Sequence, residues 1–222
     1  MHAGVRRKLF TTYRVVGGGY KRNVRCPNCG STARVRLLRL FFELRTDVLR
    51  TEKKVLHISP NRLLGSWLQS NRNIQYTCGA LNPGEFKELG AIALDATRMS
   101  IDDGLFDIVL CNHVLEHVRD DAAAMREIHR VLKQDGYAII QAPLALNLPR
   151  TIEDAPRSTP AQRKDSFGGS DHVRLYGLDY FDRLRKAGFR VVRDNPFQNS
   201  WASDLERHRL EKDEDVVICY KR

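Results

Sequence analysis

Between Leu105 and Pro143 the chain reads LFDIVLCNHVLEHVRDDAAAMREIHRVLKQDGYAIIQAP. Residues 106–111 are a short, nearly continuous apolar run, as a parallel strand covered on both faces requires. Leu115 and Val118 then lead into Ala122, Met125, Ile128 and Leu132, whose three- to four-residue spacing predicts a helix with one apolar face, ended by Gly136. Residues 137–142 are apolar again and stop at Pro143. Strand, helix, strand is the βαβ unit of a doubly wound sheet, and such sheets bind ligands beyond the carboxyl ends of their strands. In this unit that end is Cys111-Asn112-His113.

The remaining pattern extends the same architecture. Residues 31–50 read as a helix capped by Ser31, with Leu37, Phe41, Leu44 and Val48 on one stripe and Arg36, Arg39 and Arg50 elsewhere. It is expected to pack on the main domain and to help roof the site. Strands are expected at residues 53–59, 73–79 and 91–96, with a helix at 62–70 after the first. A helix at 179–187, ended by Gly188, precedes strands at 189–193 and 216–220. Residues 144–176 show no clear period, and a segment of that length after a core strand reads as a lid or substrate loop.

Charge divides the chain. Of the net +10, residues 1–54 carry 14 Lys and Arg against 3 acids, or +11, and the remainder carries 23 against 24, or −1. The basic excess suits an acidic partner or nucleic acid, or serves only as a solvated arm. Domain boundaries are expected near residue 50: a basic extension over 1–50, then the main domain over 51–222. No apolar run reaches the roughly 20 residues of a membrane helix. Five cysteines do not make a disulfide framework, so a reducing, cytoplasmic setting is expected. Cys26-Pro-Asn-Cys29-Gly30 is a knuckle that can point two thiolates at one metal. Alone it is half of a zinc site and needs a histidine, such as His2, or a second subunit; otherwise it is a turn before the next helix. The three glycines at 17–19 read as a flexible joint.

The central stretch, taken with VLHISP, CNHVLEHV and DHVRLYG and the CPxCGS knuckle, resembles class I S-adenosylmethionine-dependent methyltransferases of the type 11 kind, and within them a bacterial subgroup. The resemblance runs from about residue 53 to the C-terminus. It implies a Rossmann-like α/β fold with a seven-stranded sheet whose last strand is antiparallel, and S-adenosylmethionine as cofactor. Carried over residue by residue, it implies cofactor contacts from His57, Ser59, Pro60 and Asn61 after the first strand, and Gly79 and Ala80 after the second. Asp95 and Ala96 would read the adenine, and Asn112 and His113 the methionine part. Three departures stand out: the first turn has no glycine, Gln134-Asp135 stands in place of the usual Pro-Gly, and no acid stands at Gly79-Ala80 to hold the ribose, leaving Asn82 or Glu85 for that task.

For the chemistry, an acceptor hydroxyl or amine must lose a proton, and His172, beside Asp171, is the first choice of base, with His117 second and Glu116 beside it. His113, Glu116 and His117 share a face if helical, which is similar to the metal-holding E-x-x-E-H group of some O-methyltransferases; the bland alternative is packing at the sheet edge. The expected acceptor is an oxygen or nitrogen of a sugar or small polar metabolite. The alternatives are a catalytically inactive scaffold of the same fold and an RNA-directed enzyme using the basic arm.

Overall fold

In a computed structural model, the protein is described at residues 12–18, 25–153, 158–201 and 205–221. The central sheet has seven strands: β1 (Lys53–Ile58), β2 (Ile74–Ala80), β3 (Ile92–Ala93), β4 (Phe106–Asn112), β5 (Leu132–Gln141), β6 (Arg190–Asp194) and β7 (Val216–Tyr220). Their spatial order is β6-β7-β5-β4-β1-β2-β3. β1 pairs in parallel with both β2 and β4, and β7 runs antiparallel between β5 and β6. This is the expected α/β sheet with one reversed strand, its order turning at β1 and β4, where a ligand crevice opens.

Two apolar layers cover the sheet. On one face Leu56, Ile58, Val109, Cys111 and Ile140 pack against α3 (Asp121–Val131) and α5 (Tyr180–Lys186). On the other, Val55, Ile108, Leu110, Ile139 and Ile218 pack against α1 (Ala33–Arg45) and α2 (Arg62–Gln69). Alternate residues of β4 thus go to opposite layers, so its central run, residues 108–111, has to be apolar.

Several local expectations are corrected. The buried residues of α1 are Val35, Leu37, Leu38, Leu40, Phe41 and Phe42, while Leu44 is exposed. Thr32, not Ser31, stands at its N-cap, and Val48 is buried beyond its end. The helix lies in the layer with Trp201 and Leu205, and none of its residues lines the crevice at the strand tips; only the Arg34 charge at its N-terminal end is felt there, at His113. In α3 the buried residues are Asp121, Ala124, Met125, Ile128 and Val131; Ala122 is exposed. That helix stops at Val131 because Leu132 already pairs with Phe106, and Gly136 lies inside β5 after a left-handed Asp135 (φ 62°).

The segment 144–176 carries regular structure. Leu144–Ala145 pairs with Val15–Val16 of the N-terminal arm, and Ile152–Glu153 with Arg174–Leu175. Between them lies α4 (Pro160–Phe167), opened by a Thr159/Gln162 capping box. Of the three glycines read as a joint, Gly17 is a packed left-handed turn (φ 70°), where a Cβ would stand 3.3 Å from the His113 ring, and Gly19 lies outside the described residues. Much of the described basic block is held within the chain. Arg36 donates to Ser31 and His208 carbonyls, and Arg14, Arg39, Arg45 and Lys53 pair with Asp213, Glu43, Asp194 and Asp47. Among the described residues no helix is long and apolar enough to cross a membrane.

Candidate active site

The tips of β1 and β4 are sharp turns. Ser59, directly after β1, has φ 48°, and His113, directly after β4, has φ 57°. The first turn therefore takes, without glycine, the left-handed backbone that glycine usually supplies. Ser59 is fixed by its N–H donating to the Gly79 carbonyl at 2.7 Å, and His113 by donating to Gln141 at 2.7 Å. Between these tips and the ends of β2 and β3 opens a cavity of about 760 Å³, within the range of small-molecule sites. Ile58, Ala80, Phe86, Leu94, Ala96 and Val114 make apolar walls. Polar groups enter from Ser59, Asn82, Glu85, Asp95, Thr97 and His113. Asp95 Oδ1 accepts from the Thr97 N–H (2.8 Å) and hydroxyl (2.7 Å), so Asp95 caps its own turn and faces the cavity as well. Just outside the lining, both amide atoms of Asn112 are buried without a hydrogen-bond partner among the described residues.

At the far end of the cavity His117 and Asp171 form the wall. The stretch 113–118 is a turn rather than a helix, closed by the His117 N–H on Val114 (2.9 Å). It is bolted to the segment before α5. The Val173 N–H donates to the Glu116 carbonyl at 2.8 Å, and the buried Arg174 guanidinium to the carbonyls of Leu115 (2.7 Å), Arg119 (2.8 Å) and Val118. This brings together residues more than 50 positions apart. His117 Nδ1 lies 3.1 Å from Asp171 Oδ2, and the His117 and His172 rings meet edge to face at 4.7 Å. Glu116, only 2% exposed, stands beneath: its Oε1 is 3.4 Å from His113 Nδ1 and 4.0 Å from His117 Nε2. Burial, then the Arg34 charge, pushes the His113 pKa down. Burial alone would raise the Glu116 carboxyl, but His113 and His117 beside it hold it below its ordinary value.

Of the residues implied by the resemblance, Ser59, Ala80, Asp95, Ala96 and His113 line the cavity, and so does His117. Others do not. His57 points into the opposite layer, fully buried, with Nδ1 2.9 Å from the Tyr76 hydroxyl. Asn61 caps α2, accepting from the Leu63 and Leu64 N–H groups. Pro60 is buried outside the lining, and Gly79 faces β3, where a Cβ would stand 2.6 Å from Leu94. Asp171 orients His117, whereas His172 turns Nδ1 to the Phe167 carbonyl at 2.9 Å. Phe86, Thr97 and Arg119 line the cavity without a sequence signal that singled them out.

The knuckle folds as a turn, the Gly30 N–H donating to the Cys26 carbonyl (2.9 Å) and Cys29 Sγ to Ser31 Oγ (3.1 Å). Hydrogen bonding by the Ser31 side chain and backbone to the thiolate form lowers the exposed Cys29 thiol to about 7. No third ligand joins the two thiols among the described residues, and His2 lies outside them.

This geometry can be set beside known proteins. Residues 69–140 match the family model described as "Methyltransferase domain". Over 76 residues the chain is 33% identical to a demethylmenaquinone methyltransferase of Mycolicibacterium gilvum, an alignment covering 34% of this chain and 32% of that protein. The chain thus spans about a third of the length of the curated relatives it matches. Among solved structures, a SAM dependent methyltransferase from Archaeoglobus fulgidus superimposes with a TM-score of 0.56 at 16% identity, covering 86% of this chain and 95% of that one. The [4+2]-cyclase SpnF gives 0.55 at 16% identity, covering 84% and 79%. These likenesses agree with the Rossmann-like methyltransferase sheet.

Proposed function

We propose that the chain is an S-adenosylmethionine-dependent methyltransferase acting on an oxygen or nitrogen of a sugar or another small polar metabolite. A cyclase shares the fold, so fold alone does not carry the reading. What carries it is the cavity at the tips of β1 to β4, with an apolar slot bearing Asp95 at one end and an imidazole cluster at the other. The methyltransferase family match over residues 69–140, which include Asp95 and the β4 turn, supports it.

The residues present fit an adenosyl sulfonium. Leu94, Ala96 and Phe86 offer flat apolar contact for adenine, and Asp95 an acceptor for its amino group. Asn82 and Glu85 line the wall beside Ala80 and replace the missing ribose acid. The left-handed His113 turn faces the methionine part, with the unpartnered Asn112 amide buried just behind it. Bound there, S-adenosylmethionine supplies an electrophilic methyl carbon. The chain's own work is to align an acceptor with that carbon, to keep water out and to take the acceptor's proton. His117, oriented by Asp171, is the group best placed for the proton, with His172 next and Glu116 stabilising the charged ring.

Isothermal titration calorimetry of the full chain with S-adenosylmethionine and S-adenosylhomocysteine tests this. Saturable binding of both at sub-millimolar concentration is expected; no heat at millimolar ligand overturns the reading and leaves a scaffold protein.

A further inference from the structure

We infer that Glu116, His117 and His172 form a binding site for a divalent transition-metal ion of the zinc class. One ligand atom from each side chain lies within 4.8 Å of the other two, and among the described residues this is the one group of three so arranged. Two imidazoles and a carboxylate are an open zinc ligand set, leaving a position for water or substrate. Bonds of about 2.0–2.2 Å put ligand atoms on the order of 3.5 Å apart, so the three side chains close in by about an ångström on binding.

Three further observations point the same way. Glu116 is buried, and its Oε2 has no hydrogen-bond partner among the described residues. A buried ionised carboxylate with an open oxygen is costly unless a cation meets it. Each histidine, moreover, has its outer nitrogen engaged. His117 Nδ1 is at 3.1 Å from the Asp171 carboxylate and His172 Nδ1 at 2.9 Å from the Phe167 carbonyl. Carboxylates and carbonyls in that position are what fix a metal-ligating imidazole, leaving Nε2 as its donor. Finally, the ring of His172 sits in a fitted place: a Cβ on Gly169 would stand 2.3 Å from its Cδ2, so the neighbouring position admits only glycine without displacing the ring.

The site abuts the cavity through His117 and Asp171, so an oxygen acceptor held at the cluster would reach the ion's open position. This consequence rests on the methyl-transfer reading; the binding of the ion does not. In the ion-free protein His117 is placed to take the acceptor's proton. A bound ion would be held by His117 as ligand and would lower the pKa of a coordinated oxygen, so that its proton could leave to water.

The experiment uses the full chain as a Cys26→Ser/Cys29→Ser variant, stripped with chelator and titrated with Co²⁺ and with Zn²⁺ in the absence of any cofactor. One equivalent is expected, with Co²⁺ giving ligand-field bands and no sulfur-to-cobalt charge transfer. Glu116→Gln and His172→Ala, added separately, are each expected to weaken binding at least tenfold with unchanged circular dichroism. Should Glu116→Gln fail to fold, the half-buried His172 still supplies the test. Absence of stoichiometric binding, or binding that His172→Ala leaves intact, overturns the assignment. Because no S-adenosylmethionine is present, failure here is separable from failure of the methyltransferase reading.

Discussion

His57 offers the sharpest quantitative test of the structure. Its ring is fully buried in the α1–α2 layer, and burial lowers its pKa to about 3. In the unfolded chain a histidine titrates near 6.5. Above that value neither state binds the proton, and His57 contributes no pH dependence. Below it the unfolded chain gains a proton that the folded one refuses, so stability falls by about 1.36 kcal/mol per pH unit until the folded pKa is approached. At pH 5.0, about 1.5 units below the unfolded value, the loss from this one side chain is about 2 kcal/mol. Native stabilities are only about 5–15 kcal/mol, so the effect is easily seen.

The perturbation is His57→Asn, whose amide can replace Nδ1 opposite the Tyr76 hydroxyl. The unfolding free energy from urea titration is measured at pH 7.5 and 5.0 for both proteins. Other groups, the down-shifted His113 included, act alike in both, so the drop in wild type should exceed that in the variant by about 2 kcal/mol. Equal drops would refute the reasoning, because His57 would then be protonated in the folded state. The same variant separates two assignments of the residue. With His57 facing the helical layer, S-adenosylmethionine affinity is unchanged; an affinity loss would return it to the cofactor site.

Asp95→Asn should weaken S-adenosylmethionine binding about tenfold, measured calorimetrically, since a bond to a charged acceptor is lost while the Thr97 turn keeps its oxygen. Tyr176→Phe removes a buried hydroxyl that donates to Asp121 Oδ2 at 2.8 Å, and urea unfolding should register a loss of about 1.5–3 kcal/mol. Cys29, with its thiol near 7, should react with iodoacetamide at neutral pH in the folded protein, whereas buried Cys78, Cys111 and Cys219 should not; peptide mass spectrometry reads the difference.

What the sequence disclosed and what it withheld follow from the range of the interactions concerned. The sheet was legible because β1, β4, β5 and β7 are apolar on both faces, a pattern written into four to eight consecutive residues. Helix faces were half legible: Met125 and Ile128 stand where the period puts them, but Leu132 belongs to β5, a pairing with Phe106 that no local pattern specifies. The side to which His57 turns is written in the strand itself. Leu56 and Ile58 share the layer nearest the crevice, and strand alternation sends His57 the other way.

The acceptor end of the cavity shows why the remainder was out of reach. Glu116 and His172 are 56 positions apart, and nothing in either motif states that they meet. They meet because Arg174, almost fully buried, spends its guanidinium on carbonyls of the 115–119 turn, and because Val173 donates to Glu116. A buried arginine needs several acceptors, and a tight turn exposes several carbonyls, so the two segments satisfy each other's polar groups. Asp171 is thereby delivered to the end of the cavity, with His172 against the His117 ring beside it. Replacing Arg174 should therefore shift His172 and Asp171 together relative to the β4 turn, since its guanidinium ties their segment to that turn while Arg163 holds Ser170 only from within the same segment. The chemistry of this site is set less by the residues that face the cavity than by the one cation holding their loop against the β4 turn.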